Sequence, residues 1–361
     1  MTSSLTDGHE VSGRRIHFDA LERSTRQALR RCGVSEEDAT FVADVLVRTD
    51  AWGIHTHGVK NLAGYVKRLK DGGISPTASP RVERTGGAWG VVDGDAGLGH
   101  VGAGLAMRHA IELARTNGLG LVTLRNGGHF GAAGYYSWMA AEAGMFGLSM
   151  SNDVPTVAAP SSRRAVLGSN PIAFAFPAEG HPHVLFDIST AAVAGGKVYQ
   201  AKARRQQVPL SWIIDENGHP TSDPTGFPDA GALQPAAGHK GYGLALMVEV
   251  LSGAISGAAL GASVGNWMWG DPAAVTDHGA AFLAIDVGTM SGGGFSARVR
   301  GLVEELQGAE PVDPSRPVIV PGQPEWATFD RSMTDGVLLP GDVLERLEVV
   351  TELTEVTFDL L

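Results

Sequence analysis

The sequence predicts an α+β fold: a helical unit built from both chain ends, flanking a central domain of alternating strands and helices. Three observations support this. Apolar residues recur with a helical period from His17 to Lys70 and again from Ser296 to Leu353. Between Ala88 and Asp286, short apolar runs alternate with helical patterns. Glycine, 49 of 361 residues, is close to twice its usual share of about 7% and marks many turns.

Taken in order, residues 1–13 are polar and read as a disordered tail. His17 to Arg31 and Ser35 to Asp50 are helical, with Ser35 and Asp38 spaced as a capping box. After a histidine turn, Gly53-Ile-His-Thr-His-Gly58, a third helix runs from Val59 to Lys70 and closes at Asp71-Gly72-Gly73. Pro76 and Pro80 mark the crossing into the central domain. There, strands are expected at Ala88–Val92, Gly118–Leu124, Gly147–Ser151, Ile172–Phe176, His183–Asp187 and Ala280–Asp286. Helices are expected at His100–Thr116 and Ala132–Ala143. Asn217-Gly218 after Trp212-Ile-Ile-Asp215 signals a hairpin. The tail returns to helices at Ser296–Gln307, Glu325–Thr334 and Pro340–Leu353. The expected division is a helical unit of residues 14–75 with 300–361, and a central α+β domain of 76–299.

Composition narrows the function. A net charge of −11 argues against nucleic acid, which needs clustered Lys and Arg. The densest basic cluster, Lys202 to Arg205, reads as a solvated helix end, with an anion site as the alternative. One cysteine, Cys32, excludes a disulfide framework, and the polar N-terminus lacks a signal-peptide core, so a cytoplasmic protein is expected. Gly241 to Trp267 is long enough to span a bilayer, but Glu249 interrupts its most apolar part. It reads as a buried core helix, 241–258, not a membrane span, and its Gly253–Gly257 spacing suits close packing, a dimer contact included.

The chemistry concentrates in a few turns. Arg125-Asn-Gly-Gly-His129-Phe130-Gly131-Ala-Ala-Gly-Tyr-Tyr136 joins a strand to a helix, with bare backbone around one histidine that can exchange a proton near neutrality. His57, beside Thr56 and followed by Asn61 and Tyr65, is a second such histidine. A general acid–base role and a structural role are equally open for it on the residues alone. Two histidines on tight turns read as an enzyme. A zinc site from His55, His57 and His129 lacks a nearby carboxylate, so no metal is assigned. Gly97-Leu-Gly99-His-Val-Gly102 matches a dinucleotide fingerprint, but the next strand ends without the required carboxylate, so it reads as an ordinary turn. Leu185 to Thr190 is a strand ending in acceptors, suited either to ribose hydroxyls or to capping a helix near Ala191. Lys240 opens an apolar helix, an unfavourable place for a cation unless it meets an anion.

As an ordered set these segments resemble the type 2 malate/L-lactate dehydrogenase family of NAD(P)-dependent oxidoreductases. Thr56-His-Gly-Val59, Asp93-Gly-Asp95 with Gly97-Leu-Gly99, Asn126 to Tyr136, Gly168-Ser-Asn-Pro171, Phe186 to Thr190, His239 to Gly257 and Pro321 to Glu325 recur between about residues 15 and 350. The resemblance implies a homodimer and a nucleotide-binding domain, 76–299, with a largely antiparallel mixed sheet that is not a Rossmann fold. It implies His57 as proton donor and acceptor, with Thr56 where the family usually has Ser, and His129 lining nicotinamide and substrate. It further implies NAD or NADP held by Phe130, Gly131, Asn152, Asp187, Ile188, Ser189, Lys240, Gly322, Gln323 and Pro324.

Two departures bear on substrate. Asn61 stands where the family commonly has Arg, which weakens the case for a simple 2-oxo acid, while Tyr65 matches. Lys197 stands where cyclic-imine reductases tend to be acidic, which favours a carbonyl/alcohol couple. The expected reaction is interconversion of a 2-hydroxy acid and its 2-oxo form. A cyclic imine reductase and a non-catalytic cofactor-binding relative are the alternatives.

Overall fold

The computed structural model describes residues 13–360, so the expected disordered tail lies, apart from Gly13, outside the described residues. The chain divides into two compact units, Met1–Val66 with Glu325–Leu361, and Lys67–Pro324.

In the first unit, helices Phe18–Arg31 and Glu36–Ala51 pack through apolar stripes. Leu21, Thr25, Ala28 and Leu29 give the first helix a buried face at the 3–4 spacing that one side of a helix requires. Ser35 caps the second, accepting from Asp38 N at 3.1 Å. The chain ends are tied by an unexpected two-stranded antiparallel ribbon, Gly13–Ile16 with Val337–Pro340. Ile16, Val337 and Leu339 are fully buried there. Helix Gly341–Thr354 completes the unit with Val343, Leu347 and Val350 inward.

The second unit holds a seven-stranded sheet in the order Arg81–Thr85, Trp89–Asp93, Leu119–Gly127, His278–Ile285, Phe146–Ser151, Ile172–Phe176, Val184–Ile188. Only the Trp89–Asp93 and Leu119–Gly127 pair is parallel, joined through helix Gly99–Asn117; every other neighbour is antiparallel. This is a mixed, largely antiparallel sheet and not a Rossmann fold, whose strands would run parallel. Cross-strand rows explain how its faces are covered. Gly120, Ala284, Gly147 and Ala175 form one row of small residues. A Cβ on Gly120 would lie 2.3 Å from Ala110 O, and one on Gly147 2.5 Å from Ser137 O, so helices Gly99–Asn117 and Ala133–Glu142 lie almost directly on that row. The adjacent row, Leu121, Leu283, Leu148, Phe174 and Phe186, is large and apolar. Helix His239–Glu249 packs Val248 against this face beside Met150 and Ala281, and helix Phe295–Gln307 adds Val299 and Val303 beside Val184. Through those two valines the latter helix belongs to the sheet unit, which therefore extends past residue 300. A smaller five-stranded sheet includes the Ile213–Ile214 and Pro220–Thr221 hairpin around Gly218, at φ +86°.

The expected buried helix 241–258 differs from the structure. It is α-helical from His239 to Glu249, widens to a π-helical turn over Val250–Ala254, and covers the sheet with one side only. Leu244, Leu246, Met247, Val250 and Ile255 on the other side are between 39% and 52% exposed. Among the described residues no helix is long and apolar enough to cross a membrane.

Candidate active site

In the helical unit, the His57 turn is built on one buried carboxylate. Asp50 Oδ1 lies 2.8 Å from His55 Nδ1, and Asp50 Oδ2 accepts from Val59 N at 2.6 Å. Burial raises the Asp50 carboxyl above its ordinary value, opposed by the hydrogen bonds from His55 and Val59. Gly58 passes so close that a Cβ would sit 2.1 Å from Asp50 Oδ2, which excludes every side chain there. The turn this creates brings Thr56 Oγ1 to 2.9 Å from His57 Nδ1. His57 is half-buried and Thr56 exposed.

Asn61 and Tyr65, expected at the substrate, are both buried. Asn61 Nδ2 donates to Thr56 O at 3.0 Å, and its side chain also hydrogen-bonds Tyr65, whose hydroxyl burial pushes well above its ordinary range. The pair braces the turn from behind. His55, considered beside His57 as a metal ligand, is turned to Asp50. Among the described residues no group of three or more His, Cys, Asp or Glu is placed to hold a metal.

In the sheet unit, the His129 turn leaves strand Leu119–Gly127 and enters helix Ala133–Glu142. Phe130, expected against the cofactor, has its ring in the core, meeting Tyr136 edge-on at 5.0 Å, and its carbonyl accepts from Tyr136 OH at 2.6 Å. Gly131, at φ +79°, donates its amide to His129 Nδ1 at 3.4 Å. The imidazole of His129 stacks on Trp267 with centroids 3.9 Å apart and planes 15° from parallel. Below the turn, each glycine of the Gly97–Gly102 pattern serves packing. Added Cβ atoms would lie 2.5 Å from Ala78 Cβ, 2.1 Å from Gly128 O and 3.0 Å from Leu124 Cδ1 respectively, so each glycine allows a close approach of its neighbours.

The remaining motifs converge around strand Val184–Ile188. Asp187 Oδ2 accepts from Gly134 N at 2.7 Å. Gly322, at φ +97°, packs on Leu185, whose amide donates to Pro321 O at 3.2 Å, and Gln323 Oε1 accepts from Val320 N. Ser189 Oγ and Thr190 Oγ1 both donate to Ser169 O, at 3.0 and 2.9 Å. Ser189 Oγ also accepts from Ala191 N at 3.0 Å, as a cap would, but no helix starts there. The expected helix starts at Gly195 without a side-chain cap, because Ala191 first pairs with Pro235. The bridge delivers a second uncapped start at His239, where Lys240 is exposed and forms no ion pair among the described residues. Two uncapped helix starts, one bearing a cation, suit the negative pyrophosphate of a dinucleotide. Gly196, where a Cβ would meet nothing within 4 Å, adds bare backbone. Arg204 and Arg205 lie exposed at the far end of helix Gly195–Ala203.

Asn152 is buried. Its Oδ1 accepts from Gly279 N at 2.9 Å and its Nδ2 donates to Ala259 O at 2.8 Å, so it joins three segments beneath the site. The sequence reading missed Asp50, Arg68 and Trp267. Asp50 left a local trace, a carboxylate at the end of a helix three residues before Gly53, which opens the histidine turn. Trp267, whose ring stacks on His129, and Arg68, which bonds the loop that carries it, left none in the sequence around His129.

Residues 16–348 match the family model described as malate/L-lactate dehydrogenase. The chain is 34% identical over 334 residues to the ureidoglycolate dehydrogenase (NAD(+)) of Escherichia coli (strain K12), covering 92% of this chain and 95% of that one. It is 33% identical over 299 residues to the Δ1-pyrroline-2-carboxylate/Δ1-piperideine-2-carboxylate reductase of Pseudomonas putida, covering 81% and 86%. Among solved structures, the sulfolactate dehydrogenase from Methanocaldococcus jannaschii aligns with a TM-score of 0.87 at 34% identity, covering 94% of this chain and 97% of that one.

Proposed function

We propose a reaction from one premise: this chain belongs to the malate/L-lactate dehydrogenase family. It is an oxidoreductase of the dehydrogenase type, and the reaction is interconversion of a 2-hydroxy acid with its 2-oxo form, malate-like or lactate-like. A bound nicotinamide supplies or accepts the hydride at the substrate carbon. His57 handles the proton. With Thr56 Oγ1 at its Nδ1, the ring keeps one orientation, and Nε2 is the nitrogen that protonates the developing alkoxide or takes the proton back. This fixed imidazole on a braced turn is the observation that carries the reading.

The chain's own residues divide the remaining work. Asp50, Asn61 and Tyr65 hold the turn, and His129 lines the substrate and nicotinamide. Lys240, with the uncapped helix starts at Gly195 and His239, takes the pyrophosphate. Asp187, Ile188 and Ser189, with the Gly322-Gln323-Pro324 turn, shape the strand edge along which the dinucleotide lies, and Asn152 supports its floor. NAD is the preferred cofactor; NADP would call on Arg204 and Arg205. A homodimer belongs to the proposal, supported by the exposed apolar side of helix His239–Glu249. So does a reducing, cytoplasmic setting, in keeping with a lone cysteine.

The test is oxidation of NADH and NADPH against a panel of 2-oxo acids and cyclic imino acids. Turnover of a 2-oxo acid supports the reading. Turnover confined to cyclic imino acids with NADPH replaces it with the imine reductase. Cofactor binding with no turnover on any member supports the non-catalytic relative.

A further inference from the structure

We propose that Trp267 is the positioning residue for His129, and that Arg68 is the clamp that holds Trp267 in place. The proposal rests on the reading that His129 lines the substrate. Trp267 is almost fully buried, and its indole covers one face of the imidazole at 3.9 Å. The opposite constraint comes from Gly131 N, which donates to Nδ1. A nitrogen that accepts carries no hydrogen, so the neutral ring holds its proton on Nε2. Stack and hydrogen bond together fix the plane of the ring and its rotation within that plane. His129 is thereby set up as an oriented N–H donor toward a substrate oxygen.

Arg68 explains how the indole stays put. It is buried, and its guanidinium donates to three carbonyls of one loop: Nε to Trp267 O, Nη1 to Ala274 O and Nη2 to Asn266 O, each at 2.8 Å. Burial lowers its pKa from the ordinary value, with Asp271 acting in the opposite sense. Asp271 partly offsets the cost of burying the cation, and the planar fork ties three carbonyls of the loop to one fixed position. The loop is secured elsewhere as well. Asn266 Oδ1 accepts from Met268 N and Trp269 N, and Gly265 N donates to Thr276 O. What Arg68 adds is a fixed position for the carbonyl of Trp267 and hence for its ring.

The experiment has two arms. In the first, ¹⁵N-histidine spectra of the full-length protein report the tautomer of His129. A single Nε2–H form is expected in the wild type, a mixture in Trp267→Leu, and the wild-type form again in Trp267→Phe, which restores an aromatic face. An unchanged His129 signal in Trp267→Leu overturns the proposal. In the second arm, Trp267→Leu should lower kcat/KM about threefold to tenfold without changing NADH affinity, and do nothing further in a His129→Ala background. Additive losses overturn it. If Trp267→Leu does not fold, Arg68→Lys replaces it, keeping the charge but losing the fork, with the same direction expected in both arms. A wild type inactive across the substrate panel would defeat the proposed function alone, since the spectra decide the positioning role without turnover.

Discussion

Asp50 and His55 form a buried carboxylate–imidazole contact of 2.8 Å at the base of the His57 turn. The same carboxylate receives Val59 N, so one side chain fixes both ends of a turn that contains Thr56 and His57. Asp50→Asn keeps the shape but exchanges one acceptor for a donor facing Val59 N or His55. We expect a loss of about 1–3 kcal/mol in urea unfolding and roughly tenfold lower turnover. Full activity with unchanged stability would remove Asp50 from the account of the turn.

His57→Ala should lower kcat by about two to four orders of magnitude while NADH affinity, followed by fluorescence, stays nearly constant. Thr56→Ala, which releases Nδ1 but keeps the imidazole, should lie between it and the wild type. Equal losses in turnover and cofactor affinity would make His57 structural.

Lys240→Gln removes the cation from an uncapped helix start. NADH dissociation constants should rise by about threefold to tenfold at low ionic strength, with the gap narrowing as salt screens the wild type. A salt-independent difference, or none, would place the pyrophosphate elsewhere.

His100 gives a pH signature of stability. Burial lowers its imidazole from 6.5 to about 3. The folded protein keeps it neutral, while the unfolded chain binds a proton below about 6.5. The stabilisation is therefore complete above pH 6.5 and is lost as pH falls toward 3, by about 1.4 kcal/mol per pH unit. His100→Leu should escape this loss, so between pH 6.5 and 5 the wild type should fall relative to the variant by about 2 kcal/mol in urea melts. Parallel curves would show that His100 titrates normally in the folded state.

Leu244→Glu and Val250→Asp place charges on the exposed apolar side of helix His239–Glu249 and its π-helical continuation. Light scattering should give a dimer for the wild type and a monomer for the double variant, with the secondary structure seen by far-UV circular dichroism preserved. A variant that remains dimeric would move the interface to another face.

Features whose causes are local were legible in the sequence. The His57 and His129 turns were visible because glycines flank each histidine, and the Asn217-Gly218 hairpin because two residues decide it. The Gly97–Gly102 pattern was set aside for want of a carboxylate, and the structure supplies the positive reason: three packing contacts. Features set by distant partners were not legible. The ribbon Gly13–Ile16 pairs with residues more than 300 positions away in the chain. Trp267 reaches His129 only because the sheet brings the two segments together. Phe130, Asn61 and Tyr65 were marked by their neighbours in sequence, which cannot reveal that a side chain turns inward.

Helix Ala133–Glu142 arrives at the site with its own counter-ion. Its N-cap, Ala132, offers no side-chain bond, and the acceptor comes instead from Asp187, 53 residues along the chain. The positive end of this helix is thus neutralised before any ligand enters. Phosphate or sulfate from a buffer gains little beside His129, whereas the helix start at Lys240 still attracts anions. Under the proposed function, a ligand with one neutral ring and one anionic end would be sorted on arrival, its polarity along the strand edge decided by charge before shape is tested.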